Sequence, residues 1–289
     1  MLIAVLSGFL LALIAPVICS VAREWSGWTL ALLPATLFTW FASHLPAVMA
    51  DGAQVISYPW FPSLDIHLSF LVDGLSLMFA LLISGIGTFI LIYAGSYLKG
   101  HPAIARFYVV MLAFMASMLG VVLSDNLITL FVFWELTSIT SYMLIGFDHE
   151  DMNARRSALQ GLFVTVAGGL ALLAGLLMLG TITGSYALSE VLASDVVLSE
   201  HPWFTPLLLC ILAGCFTKSA QFPFHFWLPN AMAAPTPVSA FLHSATMVKA
   251  GVYLLARLSP AMADSELWTL LLSLFGGITM FLGALMAIT

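Results

Sequence analysis

Apolar residues run along this chain in long unbroken stretches, without the every-second-residue alternation of a half-buried strand. Windows long enough to cross the ~30 Å hydrocarbon core of a bilayer fall at about 2–22, 28–49, 69–97, 106–124, 126–147, 157–183, 203–222, 235–257 and 266–289. They predict an all-α polytopic membrane protein of about nine transmembrane helices. A transmembrane barrel needs a polar lumen face on alternate residues, and these runs are too continuous for one. The longest connectors, 50–68 and 184–202, both contain Asp, Pro and Ser, the second also Glu, and neither has Lys or Arg.

The helical pattern is interrupted in one place above all. In AGCFTKSAQFPFHFWLPNAM, Pro223 follows Lys218 by five residues and Pro229 comes soon after. Proline removes a backbone donor and clashes with the preceding turn, so the seventh helix is expected to break at Pro223. Pro235 and Pro237 then open the eighth helix, where a first-turn proline is tolerated. The pairs Gly85/Gly87 and Gly168/Gly169 are small-residue positions suited to close helix packing.

Composition agrees: hydrophobic residues make up 62% of the 289, charged residues 8%, and mean hydropathy is +1.08, which excludes an ordinary soluble domain. The net charge of −6 is thinly spread and implies no nucleic-acid partner. Cys19, Cys210 and Cys215 lie in apolar runs without metal-ligand spacing and read as small core residues. No cofactor and no metal is called for. The apolar stretch before Arg23 has no cleavage signature and reads as the first helix. Arg23, Lys99, Arg106, Arg155 and Arg156 fall in alternate loops, with Arg257 alone assigned to a loop on the other side. The bias puts the N-terminus outside the membrane.

Three ionisable residues remain inside the apolar windows: Glu135, Lys218 and Lys249. A charge at bilayer depth costs at least ~2.5–3.5 kcal/mol on insertion scales, so each is a functional hypothesis by default. For Glu135 the plainer reading is a structural carboxyl bonded to Thr137, Ser138 or a neighbouring helix. For Lys218 it is snorkelling to an interface. Against that, an amine withheld from water beside freed carbonyls at a helix break can load and unload a proton. His243 precedes Lys249 by six residues, about 120° apart on a regular helix and ~9 Å along it. Relay between them needs water or local unwinding, with Ser244 and Thr246 as polar neighbours. His225 either lines a path at the break or faces headgroups beside Trp227. Asp73 and Asp125, at the starts of helices, read as caps. Asp148, Glu150 and Asp151 beside Arg155 and Arg156 read as a solvated stretch. No two histidines on neighbouring spans match in depth as haem ligands would.

The segments LVDGLSLMF, WELTSITSYMLIGF and KSAQFPFHFWLPNAMAAPTPVSAFLHSATMVKAGVYLLAR resemble the antiporter-like superfamily of complex I membrane-arm subunits and Mrp-type cation/proton antiporters. The likeness runs from about residue 60 to the end. It is nearest to the large A-type subunits of Mrp Na⁺/H⁺ antiporters, because Val166 and Gly169 stand where the similar complex I subunit typically carries an arginine and an aspartate, and because Lys249 is present. The resemblance implies that Glu135, Lys218, His243 and Lys249 translocate protons; His225, Ser244 and Thr246 are candidates for lining the path by their position alone. It implies a secondary antiporter subunit, not an enzyme, in the inner (plasma) membrane, exchanging Na⁺ for H⁺ with other subunits of a multisubunit membrane complex as partners. A proton-pumping subunit of NADH:quinone oxidoreductase or of a membrane-bound hydrogenase is the alternative. The expected organisation is 1–105, three helices with an extracytoplasmic loop at 50–68, then 106–289, the antiporter-like domain. Family members carry a second, inverted repeat, so this chain is expected to be the first half of the fold, truncated in helix nine.

Overall fold

The computed structural model describes residues 1–61 and 66–288; positions 62–65 of the first long connector, and Thr289 at the end of the ninth window, lie outside the described residues. Helices α1 (Leu2–Ala22) and α2 (Ser26–Asp51) part at Arg23, where φ is 47° and a 3₁₀ turn follows. Then come α3 (Gly74–Tyr97), α4 (Ile104–Leu123), α5 (Leu127–Ile145) and α6 (Met152–Thr183). A short α7 (Leu188–Leu192) precedes α8 (Phe204–Lys218), α9 (Trp227–Ala231), α10 (Thr236–Ser239), α11 (Met247–Met262) and α12 (Glu266–Ile288). Among the described residues, with α1 and α2 counted apart and residues 236–262 taken as one crossing, eight segments are long and apolar enough to span, and α8 is a shorter ninth. The protein is therefore a multi-pass, all-α membrane protein in its spanning part.

The described residues of the connector at 50–68 include strand residues on both sides of positions 62–65. Strand β1 (Gln54–Phe61) pairs antiparallel with β2 (Ile66–Val72), in a register that puts Gln54 opposite Val72 and Ser57 opposite Ser69. Val55, Ile56 and Tyr58 favour a pleated strand, and Pro59 sits at the register shift, where a missing donor is tolerated. The third helix consequently starts at Gly74 and not at 69. Its apolar window had absorbed β2, because Leu68, Phe70, Leu71 and Val72 are as hydrophobic as a helix core.

The packing centre is α4, buried from Phe107 to Leu123 except at Val109 and Ala113. Gly8 of α1 lies against Ala116 of α4, and Gly120 of α4 lies against the Phe133 ring of α5. Among the described residues of α12 only Trp268 is buried; the helix otherwise presents apolar side chains outward.

The second-half helices differ from regular rods. Lys218 ends α8, and Ala220 has a left-handed φ of 50°. The chain therefore leaves the helix several residues ahead of Pro223, and a 3₁₀ turn (Phe224–Phe226) leads into α9. Between α10 and α11 the residues Ala240–Ala245 form a π-helical segment, closed by Thr246 at φ −129°, ψ −76°. The regular-helix geometry assumed between His243 and Lys249 therefore does not hold; the local unwinding is present.

Two assignments change. Arg257 lies inside α11, buried at 5% exposure, not in a loop. Both terminal guanidinium nitrogens reach Asp73, Nη2 donating to Oδ1 at 2.9 Å and Nη1 to Oδ2, while Nε donates to Tyr253 Oη at 3.2 Å. Tyr253 Oη in turn donates to the Val122 carbonyl of α4 at 2.8 Å. Asp73 also closes a capping box with Ser76 at the start of α3. Burial pushes the Asp73 carboxyl up, but the bonds from Arg257 and Ser76 outweigh it and hold it below the usual carboxylate range. Asp125, by contrast, does not cap α5. Asn126 does, accepting from Ile128 N and Thr129 N, while Asp125 Oδ1 accepts from Ser189 N at the start of α7.

Candidate functional site

Lys218 is fully buried at the end of α8. Its Nζ donates to the Trp134 carbonyl at 2.9 Å and to Ser138 Oγ at 2.7 Å, and lies 5.1 Å from the centre of the Trp134 ring. All three contacts come from one turn of α5, and they exclude snorkelling to an interface. Glu135 follows Trp134 in the same turn, within Coulombic reach of the lysine. Its Oε1 is buried without a hydrogen-bond partner. The hydroxyls of Thr137 and Ser138, expected to satisfy a structural glutamate, instead bond the Trp134 carbonyl, at 2.7 and 3.5 Å.

The two glycines of α6 explain how these groups fit together. A methyl group on Gly169 would overlap Glu135 Oε1, and one on Gly168 would overlap the Thr217 hydroxyl, next to Lys218. Adjacent residues on a helix point about 100° apart, so one glycine admits the carboxylate and the other admits α8.

The break after Lys218 is tied to the next crossing. Ser219 Oγ donates to the Val248 carbonyl at 2.7 Å, and Gly251 packs against the Cys215 carbonyl and Ser219 Oγ. Trp227 is fully buried; its indole N–H donates to the Thr217 carbonyl at 2.9 Å and its ring meets His243 edge-on at 5.9 Å. His243 is 7% exposed with the Ala231 backbone as a polar neighbour, and neither ring nitrogen completes a well-aligned hydrogen bond. Thr246 is buried and bonds back to Phe241, five residues earlier, as a π turn requires. Ser244 is exposed and bonds to Ala240. His225 stacks on Phe222 at 6.0 Å, with Nδ1 buried and unpaired. His225 is half-buried, between the exposed Pro223 and Phe226 and beside the interior Trp227.

The structure thus brings Glu135, Lys218 and His243 into one buried region spanning α5, α8 and the π segment. Lys249 is not part of that interior: its side chain is exposed on α11, one turn beyond the π segment. Among the described residues, the buried side-chain polar atoms without a hydrogen-bond partner are Trp134 Nε1, Glu135 Oε1, His225 Nδ1 and both nitrogens of His243. Such atoms in a polar interior are where internal water is held. Among the described residues no group of three or more His, Cys, Asp or Glu side chains has metal-site geometry. Sequence reasoning offered Ser138 as a partner for Glu135 and missed that it holds Lys218; it also missed the role of Gly169, which looked like any packing glycine.

A family model described as "NADH:quinone oxidoreductase/Mrp antiporter, TM" matches residues 124–289, and one described as "NADH-Ubiquinone oxidoreductase (complex I), chain 5 N-terminus" matches residues 60–108. The chain is 47% identical over 287 residues to the A-type subunit of a Na⁺/H⁺ antiporter of Alkalihalophilus pseudofirmus, covering 99% of this chain and 36% of that protein. It is also 47% identical over 282 residues to the A/B-type subunit of a probable K⁺/H⁺ antiporter of Rhizobium meliloti, covering 98% and 28%. Among solved structures it is similar to a chain of the Mrp complex from Dietzia sp., with a TM-score of 0.88 and 40% identity over 98% of this chain and 31% of that one. The chain thus spans about a third of the length of these relatives.

Proposed function

Because the chain belongs to the NADH:quinone oxidoreductase/Mrp antiporter transmembrane family, we propose that it forms part of a cation/proton antiporter subunit, conducting protons through Glu135, Lys218, His243 and Lys249 in exchange for a monovalent cation. The observation that carries this reading is the fully buried Lys218 amine at a helix break, bonded to the carbonyl of the residue before Glu135, whose Oε1 has no hydrogen-bond partner among the described residues. Water admitted at the break protonates Lys218, and Glu135 stabilises the ammonium. When the pair loosens, the proton leaves toward His243 across the water-holding region and then to Lys249. Two unit charges ~4 Å apart are worth ~4 kcal/mol at intermediate dielectric, enough to decide which of two sites holds the proton. Lys249, exposed on α11, passes it beyond these residues. His225 lines the route near the Pro223 break, and Ser244 and Thr246 line it at the π segment.

Na⁺ is the proposed cation, in line with the name of the Alkalihalophilus relative; the Rhizobium relative's name makes K⁺ the competitor to test beside it. The subunit works within a multisubunit complex in the inner membrane with its N-terminus outside, residues 1–105 forming an N-terminal unit and 106–289 the proton-translocating one. The second reading, a proton-pumping subunit of NADH:quinone oxidoreductase or a hydrogenase, rests on the complex I description of the family model matching residues 60–108. Cation-dependent proton exchange in vesicles lacking NADH and quinone separates the two. Lys218→Ala in the assembled complex should abolish exchange with NaCl and with KCl; exchange at the unmodified rate would remove the mechanism.

A further inference from the structure

Lys218 is not paired with Glu135 in this structure. Among the described residues no ion pair joins them; the amine instead rests on two uncharged acceptors, the Trp134 carbonyl and Ser138 Oγ. We propose that Ser138 is a positioning residue, one wall of a neutral berth that draws the Lys218 amine off Glu135 so that its proton can leave. This rests on the proton route proposed above and adds to it the residue that sets the balance between its two states.

The geometry supports two alternative berths on one helical turn. Ser138 comes four residues after Trp134, which puts it on the same face of α5, so its hydroxyl and the Trp134 carbonyl converge on one point. It comes three residues after Glu135, about 60° round the helix and ~4.5 Å along the axis. A four-carbon lysine stem crosses that gap by side-chain torsion, with no helix movement. Glu135 Oε1 is buried and unpartnered, so the second berth is vacant while the first is filled. Gly169 makes room for that berth: any side chain there would occupy the space of the carboxylate.

The two berths differ in chemistry. A carboxylate holds an ammonium by charge and binds its proton tightly. A carbonyl and a hydroxyl offer hydrogen bonds alone, and the hydroxyl can turn to donate to the amine once the proton has gone. Ser138 is 1% exposed, so no bulk water substitutes for it. The titratable groups on the elements packed about the lysine are Glu135 on α5, Cys215 on its own helix, His225 in the break and His243 on the π segment, while Lys249 on α11 is exposed outside this interior. Of these, only Glu135 is a carboxylate able to rival the neutral berth.

The test is the pH profile of exchange by the assembled complex in membrane vesicles, driven with NaCl and with KCl, for Ser138→Ala, Ser138→Thr and Lys218→Ala. Without the hydroxyl the amine spends more time on Glu135 and releases its proton less readily. Ser138→Ala should therefore move the profile about one pH unit to the alkaline side, a tenfold change in proton concentration, with complex assembly unchanged. Ser138→Thr keeps the hydroxyl and should restore the profile. An unmoved or acid-shifted Ser138→Ala profile, with Lys218→Ala inactive, overturns this inference and leaves the route standing. An active Lys218→Ala overturns the route itself.

Discussion

Three glycines, Gly168, Gly169 and Gly251, separate the demands of packing from those of transport, because a methyl group meets something different at each. At Gly169 it meets the far end of Glu135, with Oε1 overlapped and Cδ at 3.0 Å. A glutamate can rotate away for ~0.5–1.5 kcal/mol of rotamer strain. Alanine returns up to ~1 kcal/mol of helix propensity. The net stability change of Gly169→Ala is close to zero, yet the carboxylate leaves its place beside the Lys218 turn. At Gly168 the methyl meets Thr217, with Cβ at 2.6 Å and Cγ2 at 2.8 Å. Thr217 is β-branched and bonded to the Ala213 and Gly214 carbonyls at 2.8 and 3.0 Å, so it cannot rotate clear. Helices α6 and α8 must separate, at ~1–3 kcal/mol for overpacking. At Gly251 the obstacle includes the Cys215 carbonyl itself, and backbone does not yield. Thermal unfolding of the purified complex should therefore rank Gly169→Ala above Gly168→Ala and Gly168→Ala above Gly251→Ala. Exchange assays should nevertheless find Gly169→Ala defective although it is stable. The reasoning is refuted if Gly169→Ala melts as low as Gly251→Ala, or if it exchanges cations at the unmodified rate.

Lys249→Arg should fail in exchange assays while assembling normally, since a guanidinium does not release its proton. Asp73→Asn strands the 5%-exposed Arg257 guanidinium. It should cost on the order of 3 kcal/mol in thermal unfolding, the low end for a broken buried pair because Asp73 retains some exposure. Asp73 titrates below its unfolded value, so the pair's contribution is present at neutral pH and is lost as pH falls from ~4 through the lower folded value. Unmodified and Asp73→Asn proteins should therefore differ in stability at pH 7 and converge in strong acid; a gap that persists there would contradict the pairing. Asn126→Ala removes the acceptor for two amide groups at the start of α5 and should cost ~1 kcal/mol of stability without touching exchange, which a vesicle assay would check.

The spans and the cost of charges inside them were legible along the chain itself, because both depend on local composition. Twenty apolar residues in a row have few folded options in lipid, and Lys218 within such a run beside two prolines announces a break. What distant segments do to one another had no such signal. Whether Lys218 met Glu135 or its neighbours depended on the rotation of α5 against α8, and that rotation is set by Gly168 and Gly169 on a third helix. Arg257 looked like a loop residue until Asp73, 184 positions away in the chain, gave its charge a partner inside the protein. The strands at Gln54–Phe61 and Ile66–Val72 were hidden because the apolar run of the second reads equally well as helix, and only pairing with the first decides between them. Sequence determines which groups must be taken out of water. Tertiary packing decides which partners meet them there, because the meeting of two side chains is a property of helix faces, and a face is defined only against its neighbours.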